Sequence, residues 1–91
     1  MTVQSLREFI SYLPPETDLL GLRKKSPMEG ILPHFEGISK NDLGQYHTCL
    51  NAMRRNRIDT LEKVRGTSNE ALTKLRKIGS SRVNYIRNMF G

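Results

Sequence analysis

The chain has no tryptophan, a single cysteine and no long apolar run, and each shortage removes a class of protein. With only Cys49, an internal disulfide is impossible, which fits the reducing cytoplasm expected as its location. No stretch nears the roughly 20 apolar residues of a membrane span, so no membrane partner is expected. The opening Met1-Thr-Val-Gln-Ser-Leu-Arg-Glu lacks the basic head and apolar body of a secretion signal. Aromatic residues make up 7% of the chain, so the core must be mostly aliphatic. Soft or imidazole ligands are limited to His34, His47 and Cys49, and no pair of them has metal-site spacing. His47 and Cys49 stand two apart, which a helix turns to different faces. There is no glycine-rich phosphate loop or nucleotide fingerprint, and no nucleophile is grouped with a base. The expectation is therefore no metal, no cofactor, no small-molecule substrate and no enzymatic activity.

What is present is basic and helical. The 91 residues allow one domain with a small core. The net charge of +6 is unevenly placed. Residues 1–45 carry five Lys/Arg against six Asp/Glu, a balance of −1, whereas residues 46–91 carry ten against three, a balance of +7. Such segregation gives the second half a positive field suited to a polyanion. Its alternative is a solvated basic face on a small helical protein.

Val3, Leu6, Phe9, Ile10 and Leu13 form one helical stripe, with Thr2 or Ser5 as a cap and Pro14-Pro15 as a stop. From Glu16 to Ser39 the periodicity fades. Gly21, Pro27, Gly30, Pro33 and Gly37 predict a loop-rich connector with one helical turn, held to the core by Ile31, Leu32 and Phe35. From Asn41 onward, Leu43, Tyr46, His47, Leu50 and Met53 define a helix face, and Arg54, Arg55 and Arg57 crowd its end, where the dipole favours positive charge. Asp59-Thr-Leu-Glu62 and Thr67-Ser-Asn-Glu70 have the form of capping boxes opening two more short helices. The carboxylates Glu62 and Glu70 are accounted for by that capping. Nothing calls for a strand. The expected architecture is all-α, a compact bundle of four to five short helices, with residues 1–40 a helix and loop-rich extension packing on residues 41–91.

One run stands out, from Leu72 through Ile78-Gly79-Ser80-Ser81-Arg82 to Ile86. Leu72, Leu75 and Ile78 share a helical face, as do Val83, Ile86 and Phe90. The run predicts a helix, a tight turn at Ile78-Gly79 and a second helix with two hydroxyls and an arginine in its first turn. Helix N-terminal amides suit a phosphate, and a glycine allows close approach of another surface. This is the form of a helix-hairpin-helix, which either grips a nucleic-acid backbone or serves as a purely architectural turn.

Cys49-Leu50, Ile58-Asp-Thr-Leu61, a short helix, Glu70, Leu72, Ile78-Gly79 and the amphipathic last helix together resemble the C-terminal domain of the bacterial RNA polymerase alpha subunit. The likeness covers about residues 43–91 in one register, and the first 40 or so residues lack it. It implies a free-standing relative with its own N-terminal addition, and a helical bundle that binds AT-rich DNA in the minor groove. The hairpin glycine of that family falls on Gly79, and its Lys-Lys-Ser on Ser80, Ser81 and Arg82. Its Asn-Cys-Leu-Lys falls on Thr48, Cys49, Leu50 and Asn51. The family arginine that enters the minor groove falls on Gln45, which has no charge to match an electronegative groove.

Two functions follow as expectations. The first is a transcription-associated domain contacting DNA mainly through phosphates, weakly and with strong salt dependence. Its contacts would be Gly79, Ser80, Ser81, Arg82 and Lys77, with Gln45, Thr48, Asn51 and Arg54 beside them. The second is a protein-interaction module for RNA polymerase, sigma factor or another regulator, with DNA binding lost.

Overall fold

Caps and chain breakers divide the chain into five α-helices and two 3-10 helices in the computed structural model, which describes residues 3–24 and 30–91. Helix α1 covers Val3–Ser11 and stops three residues before Pro14. Thr2 lies outside the described residues. Ser5 is not a cap: it sits inside α1, where its hydroxyl pairs with His34 Nδ1 at 2.6 Å. Two 3-10 helices follow, η1 at Leu19–Leu22 and η2 at Leu32–Phe35, one more turn than the sequence pattern predicts. Asp18 caps η1 by accepting from the Leu20 N–H, and Pro33 opens η2 without losing a needed donor.

Helix α2, Lys40–Arg55, is the longest at 16 residues and is capped by Ser39. Its apolar face is wider than the sequence stripe. Tyr46, Leu50 and Met53 are buried as expected, Cys49 and Ala52 join them, and Leu43 and His47 are only half-buried. The chain leaves α2 through a left-handed Arg57 (φ 64°), with Ile58 N–H reaching back to Met53 and Arg57 N–H to Arg54. That pairing is a Schellman turn, with an arginine in the position glycine usually takes. Helices α3, Leu61–Gly66, and α4, Asn69–Thr73, are followed by α5, Ser80–Phe90.

Both expected capping boxes are displaced by one residue. Thr60, not Asp59, caps α3 by accepting from Lys63 N–H, and Ser68, not Thr67, caps α4 by accepting from Ala71 N–H. Asp59 instead pairs with the Lys63 ammonium at 2.8 Å, and the Thr67 hydroxyl donates to the Lys63 carbonyl. A hydroxyl caps while holding an extended backbone, and Thr60 (φ −131°, ψ 160°) and Ser68 (φ −67°, ψ 156°) have that backbone.

The core is one cluster to which every element contributes, including Leu6 and Ile10 of α1, Leu19 and Leu22 of η1, Tyr46 and Leu50 of α2, and Ile86 and Phe90 of α5. Helix α1 lies against α5 and η2, and Phe9 stacks on the His34 ring at 4.7 Å. The loop after α1 is tied to the start of α3. Leu61 and Glu62 donate to the Thr17 and Pro15 carbonyls, and Leu19 donates to Asp59. An isolated bridge between Asp18 and Thr60 is the only extended pairing among the described residues, and the fold is all-α. No described helix is long and apolar enough to cross a membrane.

Candidate nucleic-acid interface

The hairpin before α5 is built differently from its sequence pattern. Helix α4 ends at Thr73, and the chain then reaches Ile78 through single turns, with Leu75 bonding back to Leu72 and Ile78 to Leu75. The sharp reversal falls on Lys77, whose φ of 69° is left-handed. Gly79 is extended (φ −105°, ψ −175°), a conformation open to any residue, so the turn itself does not need a glycine. A Cβ placed on Gly79 would meet nothing within 4 Å, because the position faces outward.

Gly79 occupies the N-cap of α5 and has no side chain to cap with. At α2, α3 and α4 a capping side chain, Ser39, Thr60 and Ser68 respectively, accepts from the first turn, and α3 gains the carbonyls of Thr17 and Pro15 besides. At α5, among the described residues, nothing accepts from the N–H groups of Ser80, Ser81 and Arg82. These three are polar, and Ser80 and Ser81 are exposed. The guanidinium of Arg82 folds back to donate to the Lys77 carbonyl at 2.5 Å, bracing the turn and keeping a cation beside the helix start.

Arg82 also lies near α2, where its charge acts on Cys49. Burial pushes that thiol up to about 11, and the arginine pulls it the other way, so the cysteine is a neutral packing group at physiological pH. At ~100° per residue, Gln45 and Thr48 lie about 40° and 100° round α2 from Cys49, and both are half-buried. Asn51 and Arg54 stand about 120° and 180° round the helix from Gln45. The structure thus gathers Lys77, Gly79, Ser80, Ser81 and Arg82 into one turn, and Gln45, Thr48, Asn51 and Arg54 all lie along α2.

Asn51 and Arg54 belong to shallow depressions along α2. One is lined by Asn51, Arg54 and Arg55, and the next by Arg23, Lys24, His47 and Asn51. Reasoning from sequence missed Arg23, Lys24 and His47 as a group. The signal available was the Arg23-Lys24-Lys25 run, but its partner on α2 appears only when η1 is folded against that helix.

Several basic residues of the second half are engaged with backbone. Arg87 donates to the carbonyls of Val64, Thr67 and Gly91 and to the side-chain oxygen of Asn69. Arg65 donates to the Phe90 carbonyl at 3.0 Å. Lys63 and Lys74 face Asp59 and Glu70 one helical turn away. Among the described residues no three His, Cys, Asp or Glu side chains cluster closely enough to hold a metal ion. Compared with protein-family models, with curated proteins and with solved structures, the chain matches none.

Proposed function

We propose that the chain is a non-enzymatic, transcription-associated DNA-binding domain that holds duplex mainly through its phosphate backbone, with RNA polymerase or a transcription regulator as a further partner. The observation that carries this reading is the start of α5. Among the described residues, three backbone N–H groups there have no acceptor, on an 11-residue helix whose positive end they form, next to Arg82 and Lys77. The open space over Gly79 gives a phosphate room to approach. The likeness of residues 43–91 to the RNA polymerase alpha C-terminal domain points to the same turn. Gln45, where that family carries an arginine, has no charge, so the reading is one of backbone contact with weak groove discrimination.

The test is a fluorescence-anisotropy titration with AT-rich and scrambled duplexes at low salt. Similar affinity for both is expected, with a steep loss as salt rises. Gly79→Asp separates binding from folding. The new carboxylate caps α5 in open space, so thermal stability should hold or rise, while the added negative charge should weaken DNA binding by about tenfold or more. Arg82→Ala should weaken it as well. An absence of binding at low salt, or binding indifferent to both substitutions, would leave the protein-interaction reading in its place.

A further inference from the structure

The cationic depression between the end of η1 and α2 is a second feature, lined by residues outside the hairpin. Its walls are fixed by a buried hydrogen bond. The Tyr46 hydroxyl donates to the Leu22 carbonyl at the end of η1, locking that turn against α2. The next residue on each side of the bond faces the depression. Arg23 and then Lys24 follow Leu22, and His47 follows Tyr46, with its ring edge-on to the tyrosine at 5.5 Å. Asn51, one turn further along α2, completes the lining and is shared with the adjoining depression of Arg54 and Arg55.

We propose that this depression, lined by Arg23, Lys24, His47 and Asn51, is a binding site for a tetrahedral phosphate oxyanion. A guanidinium fork, an ammonium, an amide N–H and an imidazole N–H offer donors in the mixture such an anion needs. Of the described residues lining the two depressions none is acidic, and Tyr46 holds η1 in place before any ligand arrives. An anion would also relieve the mutual repulsion of the converging cations.

The imidazole supplies the readout. Partial burial, and then the charges of Arg23 and Lys24, hold His47 below the ordinary histidine range. The groups facing it are Arg23 and Lys24 from the end of η1, the Tyr46 ring and the Asn51 amide from α2. Glu36, at the end of η2, lines a neighbouring depression that Lys24 also borders. A bound dianion opposes both cations, so it must raise the pKa of His47, and by linkage it must bind more tightly as pH falls.

Inorganic sulfate is a suitable probe, because it keeps its tetrahedral charge from pH 5 to 8 while phosphate titrates. His47 ring resonances are followed by NMR during a sulfate titration of the full chain, against chloride at matched ionic strength. Saturable shifts at His47 and Asn51 are expected, with the His47 pKa rising by about one unit and affinity about tenfold higher at the acid end. Arg23→Gln with Lys24→Gln should abolish both effects, and Gly79→Asp should leave them intact. A second titration with a duplex identifies the source of the phosphate. The same His47 response marks a nucleic-acid backbone, and a response to sulfate alone marks a small phosphorylated ligand. Resonances that follow chloride and sulfate equally, or that still respond in the double variant, overturn the site. Because the hairpin and the depression are altered by different substitutions, failure of one reading leaves the other standing.

Discussion

The guanidinium of Arg87 holds three segments together. Its four acceptors are the Val64 carbonyl near the end of α3, the Thr67 carbonyl in the α3–α4 turn, the Asn69 side chain at the start of α4, and Gly91 after α5. Carbonyls at helix ends lack intrahelical partners, and a charged donor among them strengthens each bond. Arg87→Leu should therefore lower unfolding free energy in urea by about 2–3 kcal/mol, the range for losing hydrogen bonds to a charged group. Arg87→Lys should recover less than half, since an ammonium cannot reach four acceptors in a planar fork. In the sequence Arg87 is one more basic residue of a +7 half. What it binds is a set of carbonyls, and a carbonyl leaves no mark in residue type. The same holds for Tyr46. Its place on the α2 face was legible from spacing, but its bond to Leu22, which positions Arg23 and Lys24, was not.

Helices were legible because apolar spacing and caps are local signals. Their edges were less so. Asp59-Thr-Leu-Glu62 contains two candidate caps one residue apart, and choosing between them requires the backbone angles. Those angles are set by the pairing of Thr17, Asp18 and Leu19 with the start of α3, contacts 40 to 44 residues away in sequence. Thr60→Ala should cost about 1 kcal/mol in thermal or urea unfolding, the usual loss of a capping hydroxyl. Asp59→Ala should cost clearly less than that, because its partner is the exposed Lys63 ammonium. The opposite order would restore Asp59 as the cap. The hairpin follows the same logic. Glycine marks the turn in the sequence, yet the left-handed residue is Lys77, held by the Arg82 guanidinium on its own carbonyl. A reading based on residue type finds the turn but misassigns the residue that bends.

At the scale of the whole molecule, the first 40 residues and the last 51 draw on one hydrophobic cluster. Leu6 and Ile10 of α1 are buried in it, and α1 packs on α5 more extensively than any other pair of elements does. Helix α5 is also the element whose N-terminus carries the proposed DNA contact. Loosening α1 therefore acts on the hairpin through the helix that presents it. Ile10→Ala removes a wholly buried side chain at some distance from Gly79 in sequence, and a cavity of that kind costs about 2–4 kcal/mol. For a chain of this length total stability is on the order of 5–14 kcal/mol, so the loss is large but need not unfold the protein. Far-ultraviolet dichroism, which follows the helices, and tyrosine fluorescence, dominated by Tyr46, Tyr85 and Tyr12, should then report one coincident transition at a lower urea midpoint. Two separated transitions would show instead that residues 1–40 fold on a core that is already complete without them. In that case the variant should lose α1 while the proposed DNA binding at the α5 N-terminus persists, whereas a shared core predicts that helix structure and the proposed binding decline together.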